Sequence, residues 1–244
     1  MKVLVLALTV LLPGLALAQA PPPAPPPPPP LWSGKAELSF VSTSGNTDTM
    51  TLGFGAEVGF KPDPWDVAFK AAFVRAESDG DLKARSLDLA LRAGYRLSPR
   101  VEVFDICGYF ENRFAGIDHR FNEDLGVAYL VLPEGPHKLK VEAGMGYTKE
   151  WRISAEDRSF ATARAALGYK WAFSKTAEFS EDFAYVADLK TSKNWRVQNV
   201  ASVSATLTSL LSLKVSHALN FLNEPSPGFR KTDTVTAAAV VAKF

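Results

Sequence analysis

Three histidines, a single cysteine and a scatter of carboxylates are the side chains from which chemistry would have to be built. His119, His137 and His217 lie far apart, and no two share a segment at metal-ligand spacing. Ser216 precedes His217, but neighbours on a strand face opposite sides, so the adjacency makes no nucleophile and base. Asp118, His119 and Arg120 could form an outward-facing site, and read more simply as a solvated turn. The remaining route to catalysis is a nucleophile and histidine brought together from distant strands, which would make the chain a hydrolase of lipid or peptide. No G-x-S-x-G, P-loop or dinucleotide fingerprint occurs. Cys107 permits no intrachain disulfide and reads as a small packed interior residue. No catalytic, cofactor-binding or metal-ligating residue is therefore assigned, no cofactor is expected, and the chain reads as a non-enzyme.

The charged residues follow a pattern instead. Lys35, Glu37, Glu57, Lys70, Asp88, Arg92, Asp105, Glu111, Arg113, Asp124, Glu142, Arg164, Lys170, Asp182 and Lys214 alternate with apolar neighbours. That spacing collects both signs on one face of a sheet. On an enclosed face such charges need partners, so most are read as an interior ion-pair network. The functional alternative is that some line a narrow water-filled path, where rings of charge set ion preference. The near-balance of signs argues for weak selectivity. Glu181, Asn199 and His217 fall on the opposite, apolar face.

The element that positions these residues is clearest between Trp32 and Lys61. Trp32, Gly34, Ala36, Leu38 and Phe40 alternate with Ser33, Lys35, Glu37, Ser39 and Val41, and the pattern resumes from Thr51 to Phe60 after Ser44-Gly45-Asn46. Period-two alternation specifies a sheet with one apolar and one polar face. The runs are roughly twice the usual strand length of about 5–6 residues. They match the length needed to cross a membrane at a tilt of about 45°. Twelve such segments follow Pro30: 32–43, 47–61, 65–77, 83–97, 100–114, 120–132, 137–152, 158–173, 177–188, 195–207, 212–222 and 232–244. The fold expected is all-β: a closed antiparallel up-and-down transmembrane barrel of about twelve strands, an even number as in bacterial single-chain barrels. Only helices and closed barrels satisfy every backbone group in hydrocarbon.

The connections alternate in kind. Pro62-Asp63-Pro64, Ser98-Pro99, Pro133 to Pro136, Ser174 to Thr176 and Thr208-Ser209 are assigned to the periplasm. The polar turns at Gly45-Asn46, Ser78 to Asp81, Gly116 to His119, Ala155 to Asp157, Lys190 to Asn194 and Asn223 to Lys231 are assigned to the outside. They are short, so no large lid or plug is expected. Trp32, Trp65 and Trp171 then fall at the periplasmic rim, Trp151 and Trp195 at the outer rim, and Phe244 ends the last strand, as expected of two membrane-interface girdles.

The N-terminal residues 1–20 read as a secretory signal: Lys2, a short apolar run from Val3, and small residues at Ala16 to Ala20. Residues 21–31 follow, with proline at every position from Pro21 to Pro30 except Ala24. Such a run cannot join a sheet and favours polyproline II. It reads as a stiff periplasmic spacer, or alternatively as an arm for a periplasmic partner. The barrel occupies 32–244. A net charge of +1 gives no electrostatic case for nucleic acid.

Several pieces together resemble one family. They are Trp32-x-Gly34 with Ser44-Gly45-Asn46-Thr47, the segment Glu111-Asn112-Arg113-Phe114-Ala115-Gly116-Ile117, and Pro225-x-Pro227-Gly228 followed by Asp233 and terminal Phe244. The chain from about 32 to 244 is similar to the domain of unknown function 481 family, often labelled salt-induced outer-membrane proteins. The resemblance implies a barrel in the Gram-negative outer membrane and a loose association with salt stress, and supplies no catalytic or binding residues. A terminal aromatic after alternate apolar residues also resembles the signal read by the outer-membrane insertion machinery. The function expected is a porin-like, narrow and weakly selective pore or a passive envelope component in contact with outer-membrane lipid. A structural or interaction barrel with a side-chain-plugged lumen is the alternative.

Overall fold

The computed structural model describes residues 30–43 and 49–244. The secretory signal, the proline run up to Pro29 and the Ser44-Gly45-Asn46-Thr47 turn lie outside the described residues.

Long alternating runs cannot bury one face by stacking without leaving sheet edges, and here they close on themselves. The strands are β1 (Trp32–Thr43), β2 (Thr49–Phe60), β3 (Trp65–Ser78), β4 (Asp81–Arg96), β5 (Val101–Asn112), β6 (Ile117–Leu132), β7 (His137–Arg152), β8 (Arg158–Ala172), β9 (Ala177–Asp188), β10 (Trp195–Thr206), β11 (Leu211–Leu222) and β12 (Thr232–Lys243). Each pairs antiparallel with its sequence neighbours, and β1 pairs β12 to complete the ring. Most boundaries fall within two residues of those expected from alternation. The exception is β6, which starts at Ile117. A 3-10 turn at Arg113–Ala115 precedes it, capped by Asn112 accepting from the Ala115 amide at 3.1 Å. At about 3.3 Å per residue, a strand of 12 residues is about 40 Å long, and a tilt of about 40° leaves a wall roughly 30 Å tall.

Cross-strand partners share a face, so the register assigns every side chain. Leu38, Phe54, Phe73 and Leu87 form one outward row across β1 to β4. Lys35, Glu57 and Lys70 form an inward one. The outer face is mainly apolar and many of its large side chains are exposed, Leu125 by 66% and Met145 by 65%. The ends carry aromatic clusters. Trp32 stacks on Phe60 at 4.3 Å and Trp65 meets Tyr95 edge-on at the end where β1 begins and β12 ends, called proximal below. At the distal end Trp151 stacks on His119 at 4.1 Å and Trp195 on Phe221 at 5.0 Å. Trp171 and Phe244 also sit outward on the proximal side.

The closing seam explains the Trp32-x-Gly34 signature. Gly34 exchanges both backbone hydrogen bonds with Phe244, at 2.7 and 3.0 Å. The Phe244 ring lies where a Gly34 side chain would stand, 2.2 Å from an added Cβ. Glycine there lets the last ring fold over the junction of first and last strands.

Strand β5 reverses the expected facing. The outward row through Leu87 continues to Glu111, and Ala93 pairs outward with Asp105. Cys107 lies between Leu91 and Glu123 on that same outer face. Asp105, Glu111 and Cys107 therefore do not line the interior. The inward set is Glu102, Phe104, Ile106 and Phe110, because the bulkiest apolar side chains of β5 pack beneath arginines inside the barrel. Arg113 falls in the 3-10 turn at the distal rim, 66% exposed and paired with Asp118 at 3.3 Å. Glu181 and His217 do lie outward, in the row Tyr169, Glu181, Ala201, His217 and Thr236. Asn199 shares that face.

Candidate functional site

The interior is divided lengthwise into a packed side and a wet side. The packed side lies on β5 to β8, where inward glycines admit side chains from neighbouring strands. A Cβ on Gly126 would lie 2.7 Å from the Phe104 ring, and one on Gly146 would lie 2.4 Å from Asp124 Oδ1. Alternating glycine with a large residue across a strand pair lets the wall interdigitate with its contents.

Two carboxylates organise the packed side. Glu150 is 1% exposed. It accepts from Arg120 Nε at 2.7 Å, meets Arg158 Nη2 at 3.1 Å, and lies 3.6 Å from Arg152 Nε. Glu142 takes Lys140 at 2.9 Å, Arg92 at 3.1 Å and Arg164 at 3.4 Å. Arg92 also pairs with Glu102 at 2.5 Å and lies over Phe104, 4.3 Å from the ring centroid. Arg120 sits over Phe110 in the same manner at 5.3 Å. A planar guanidinium can serve a carboxylate at its edge and an aromatic ring on its face at once, which is why arginine dominates these hubs.

The wet side runs along β1 to β4 and β8 to β11, except where inward Val186, Arg196, Ser202 and Ser212 are buried. Lys35 and Glu57 meet at 2.9 Å, Lys70 lies 3.9 Å from Glu57, and Lys214 binds both oxygens of Glu37 at 2.9 Å. Lys70 keeps 56% of its side-chain surface exposed, although it faces inward. Asp88, Lys170 and Asp182 are also inward and exposed. Val200, inward opposite Asp182, is 39% exposed. This exposure is to a lumen, not to the outside.

A short strap crosses the distal opening, where the expectation is only that no large lid or plug is present. The connection between β11 and β12, residues 223–231, reaches to β6, β7 and β8. Ser226 Oγ donates to the Gly116 carbonyl at 3.0 Å and is buried there. Arg152 Nη2 reaches the Glu224 carbonyl at 3.2 Å and Arg158 Nη1 its carboxylate at 3.3 Å. In a ring of twelve strands, β11–β12 and β5–β6 stand on opposite sides. Gly116, with φ of +77°, is required by backbone conformation and by contact, since an added Cβ would stand 2.8 Å from Ser226 and Phe229.

Lys35, Glu37, Glu57, Lys70, Asp88, Arg92, Asp124, Glu142, Arg164, Lys170, Asp182 and Lys214 thus all face inward. Alternation had left out Glu102, Arg120, Glu150 and Arg158. The signal was available: stepping by two from Asp124 and Glu142 reaches Arg120 and Glu150. The histidines do not converge. His119 Nδ1 lies 3.1 Å from Asp118, His137 Nδ1 2.7 Å from the Tyr169 hydroxyl, and His217 Nδ1 2.8 Å from Thr236 Oγ1. Among the described residues no group of three potential ligands could hold a metal.

A family model described as protein of unknown function, DUF481, matches residues 36–244. The chain belongs to the DUF481 family. No curated relative matches this DUF481 chain. Among solved structures it is similar to the translocator domain of the autotransporter NalP from Neisseria meningitidis, at 14% identity and TM-score 0.47 over 87% of each chain. An outer-membrane channel from Pseudomonas putida F1 matches at 12% identity and TM-score 0.49, over 87% of this chain and 95% of that one. The β domain of the Bordetella autotransporter BrkA matches at 12% identity and TM-score 0.43, over 87% and 97%. These distant likenesses concern barrel architecture alone.

Proposed function

We propose that this DUF481 protein is a non-enzymatic outer-membrane barrel that passes small ions through a narrow, eccentric path beside a fixed plug. The membrane placement is supported by the wall itself: roughly 30 Å tall, apolar outside, bounded by aromatic clusters, with every strand edge paired. The observation that carries the pore reading is the exposure of Lys70, Asp88, Lys170 and Asp182 on the inner face. Water reaches these groups inside the barrel. Their signs balance, which supports weak selectivity.

Refolded into planar bilayers, the protein is expected to give a small conductance with similar cation and anion permeability. A folded barrel with no conductance would overturn the reading. It would favour the plugged structural barrel, for which the Glu150 and Glu142 hubs and the distal strap speak.

The outer face is tested separately. A fluorophore on Cys107 is expected to be quenched by lipids brominated near the bilayer centre and spared by aqueous iodide. The reverse pattern would show that Cys107 points into the lumen and would remove the register on which the interior assignments rest.

A further inference from the structure

The outer face of β9 to β11 carries three side chains that hydrocarbon does not suit. Glu181 lies on β9, and Asn199 and His217 stand near the middle of β10 and β11. Glu181 is the least demanding. It is the cross-strand neighbour of Tyr169, which meets His137 at the proximal end. Asn199 and His217 are at mid-wall, where lipid offers no hydrogen-bonding group.

Their own chain leaves both incomplete. Asn199 makes no side-chain hydrogen bond among the described residues. Its Oδ1 is buried without a donor, which leaves Nδ2 as the accessible end of the amide. His217 is exposed, and its Nδ1 lies 2.8 Å from Thr236 Oγ1. With Nδ1–H donating to Thr236, Nε2 is an outward acceptor with nothing to accept. An unpaired polar group in an apolar medium is costly. Polar side chains within a membrane therefore pair across the segments that carry them.

The two groups are complementary, and their placement decides the partner. Asn199 pairs with Leu219 and His217 with Ala201, so the two are diagonal neighbours. The row of paired residues that begins at Trp32, the proximal end of β1, arrives at Trp195, the distal end of β10. Each partner therefore stands more distal than the last. At a rise of about 3.3 Å per residue and a tilt of about 40°, this stagger offsets the diagonal and leaves Asn199 and His217 within about 2 Å of one height. They flank the line between β10 and β11. A two-fold axis parallel to the barrel axis and facing that line sets Asn199 of each copy opposite His217 of the other. Sheets packed face to face lie about 10 Å apart, a gap that an asparagine and a histidine joined by a hydrogen bond can span. Ala201, Val203 and Val215 share the face and are too short to hold the sheets further apart.

We propose that the outer face around β10 and β11 is the contact of a two-fold dimer. Asn199 Nδ2 donates to Nε2 of His217 of the partner subunit, and the same bond is repeated in reverse. Such an isologous contact uses each residue twice, so a second copy supplies both of the groups that one chain lacks. The inference rests on the membrane placement proposed above and not on conduction. A protein that fails to insert would remove the placement, whereas one that inserts and stays monomeric would remove the dimer alone.

The test is cross-linking of the full chain refolded into phosphatidylcholine vesicles in large lipid excess, with insertion checked by heat-modifiable migration. Ala201→Cys in a Cys107→Ala background is expected to give a dimer and no larger species with a short bismaleimide. Val215→Cys in that background should do the same. The unaltered chain carries Cys107 on β5, across the ring from β11, and should give no dimer under the same treatment. Asn199→Leu is expected to raise the dimer dissociation constant, read from the loss of cross-linking on lipid dilution, about tenfold, as two lost intramembrane hydrogen bonds imply. His217→Leu should match it. The double variant should add nothing, because either substitution already breaks both bonds. Inserted barrels that give no dimer at Ala201→Cys or Val215→Cys would overturn the proposal. So would cross-linking through Cys107 as strong as at those positions, or additive effects of the two leucine substitutions.

Discussion

Glu150→Gln is expected to lower the unfolding free energy by about 3–5 kcal/mol, the range for removing one partner of a buried ion pair. The substitution keeps the shape and part of the hydrogen bonding. It deletes the single negative charge that Arg120 and Arg158 hold at 2.7 and 3.1 Å inside the wall. Arg120 is 5% exposed, so water cannot take over that role. Adding Arg120→Met to Glu150→Gln should recover part of the loss, because replacing paired charges by an apolar group of similar volume is far cheaper than orphaning one. Glu57→Gln is the internal comparison. Lys35 and Glu57 also meet at 2.9 Å, but their side chains are 39% and 33% exposed. That pair is screened by lumen water, and its loss should cost under about 1 kcal/mol. Urea titration of the three variants reads the difference directly. Equal losses at Glu150 and Glu57 would mean that both halves of the interior are equally wet, and the packed plug would be lost with them.

The same contrast shows what was legible in the residues. A strand's two faces differ in polarity whenever one meets an apolar environment, so alternation located twelve strands and their turns. The strand register puts Lys35, Glu57 and Lys70 in one row, on the face where alternation places them. Alternation failed on β5, where the inner face carries Phe104 and Phe110 and the outer face carries Asp105, Cys107 and Glu111. There polarity no longer distinguishes inside from outside, because a plug needs apolar packing of its own. Only the pairing of Ala93 with Asp105 and Leu87 with Glu111 decides the matter. Arg120 was hidden for a different reason. Gly116 looked like the start of a longer turn, whereas its positive φ ends a single 3-10 turn and returns the chain to a strand at once. The strap was illegible because its length is ordinary. Its path depends on Ser226 finding a carbonyl 110 residues away.

Replacing residues 224–230 by a short glycine turn is expected to raise single-channel conductance several-fold. The strap crosses the distal opening and is tied down on the far side through Ser226, Glu224 and the contact of Phe229 with Gly116. These ties differ in strength. The Ser226 bond is buried, while Glu224 is 45% exposed and its pair with Arg158 at 3.3 Å is a weak rim contact. Glu224→Ala alone should therefore change conductance little, and Gly116→Val should approach the full effect of the deletion by pushing both Ser226 and Phe229 away. The folded fraction should stay near that of the unaltered protein in the deletion, since among the described residues the strap's backbone-to-backbone bonds with the strands are those at its base, from Leu222 N to the Lys231 carbonyl and from Asn223 N to the Trp195 carbonyl, both outside the deleted segment. If conductance stays unchanged while the barrel folds, the narrowest point lies lower, between the Glu142 hub and the wet wall at Lys70 and Asp88. Charge reversal at Asp88, which faces the lumen and is exposed, would then alter ion preference where removal of the strap had not.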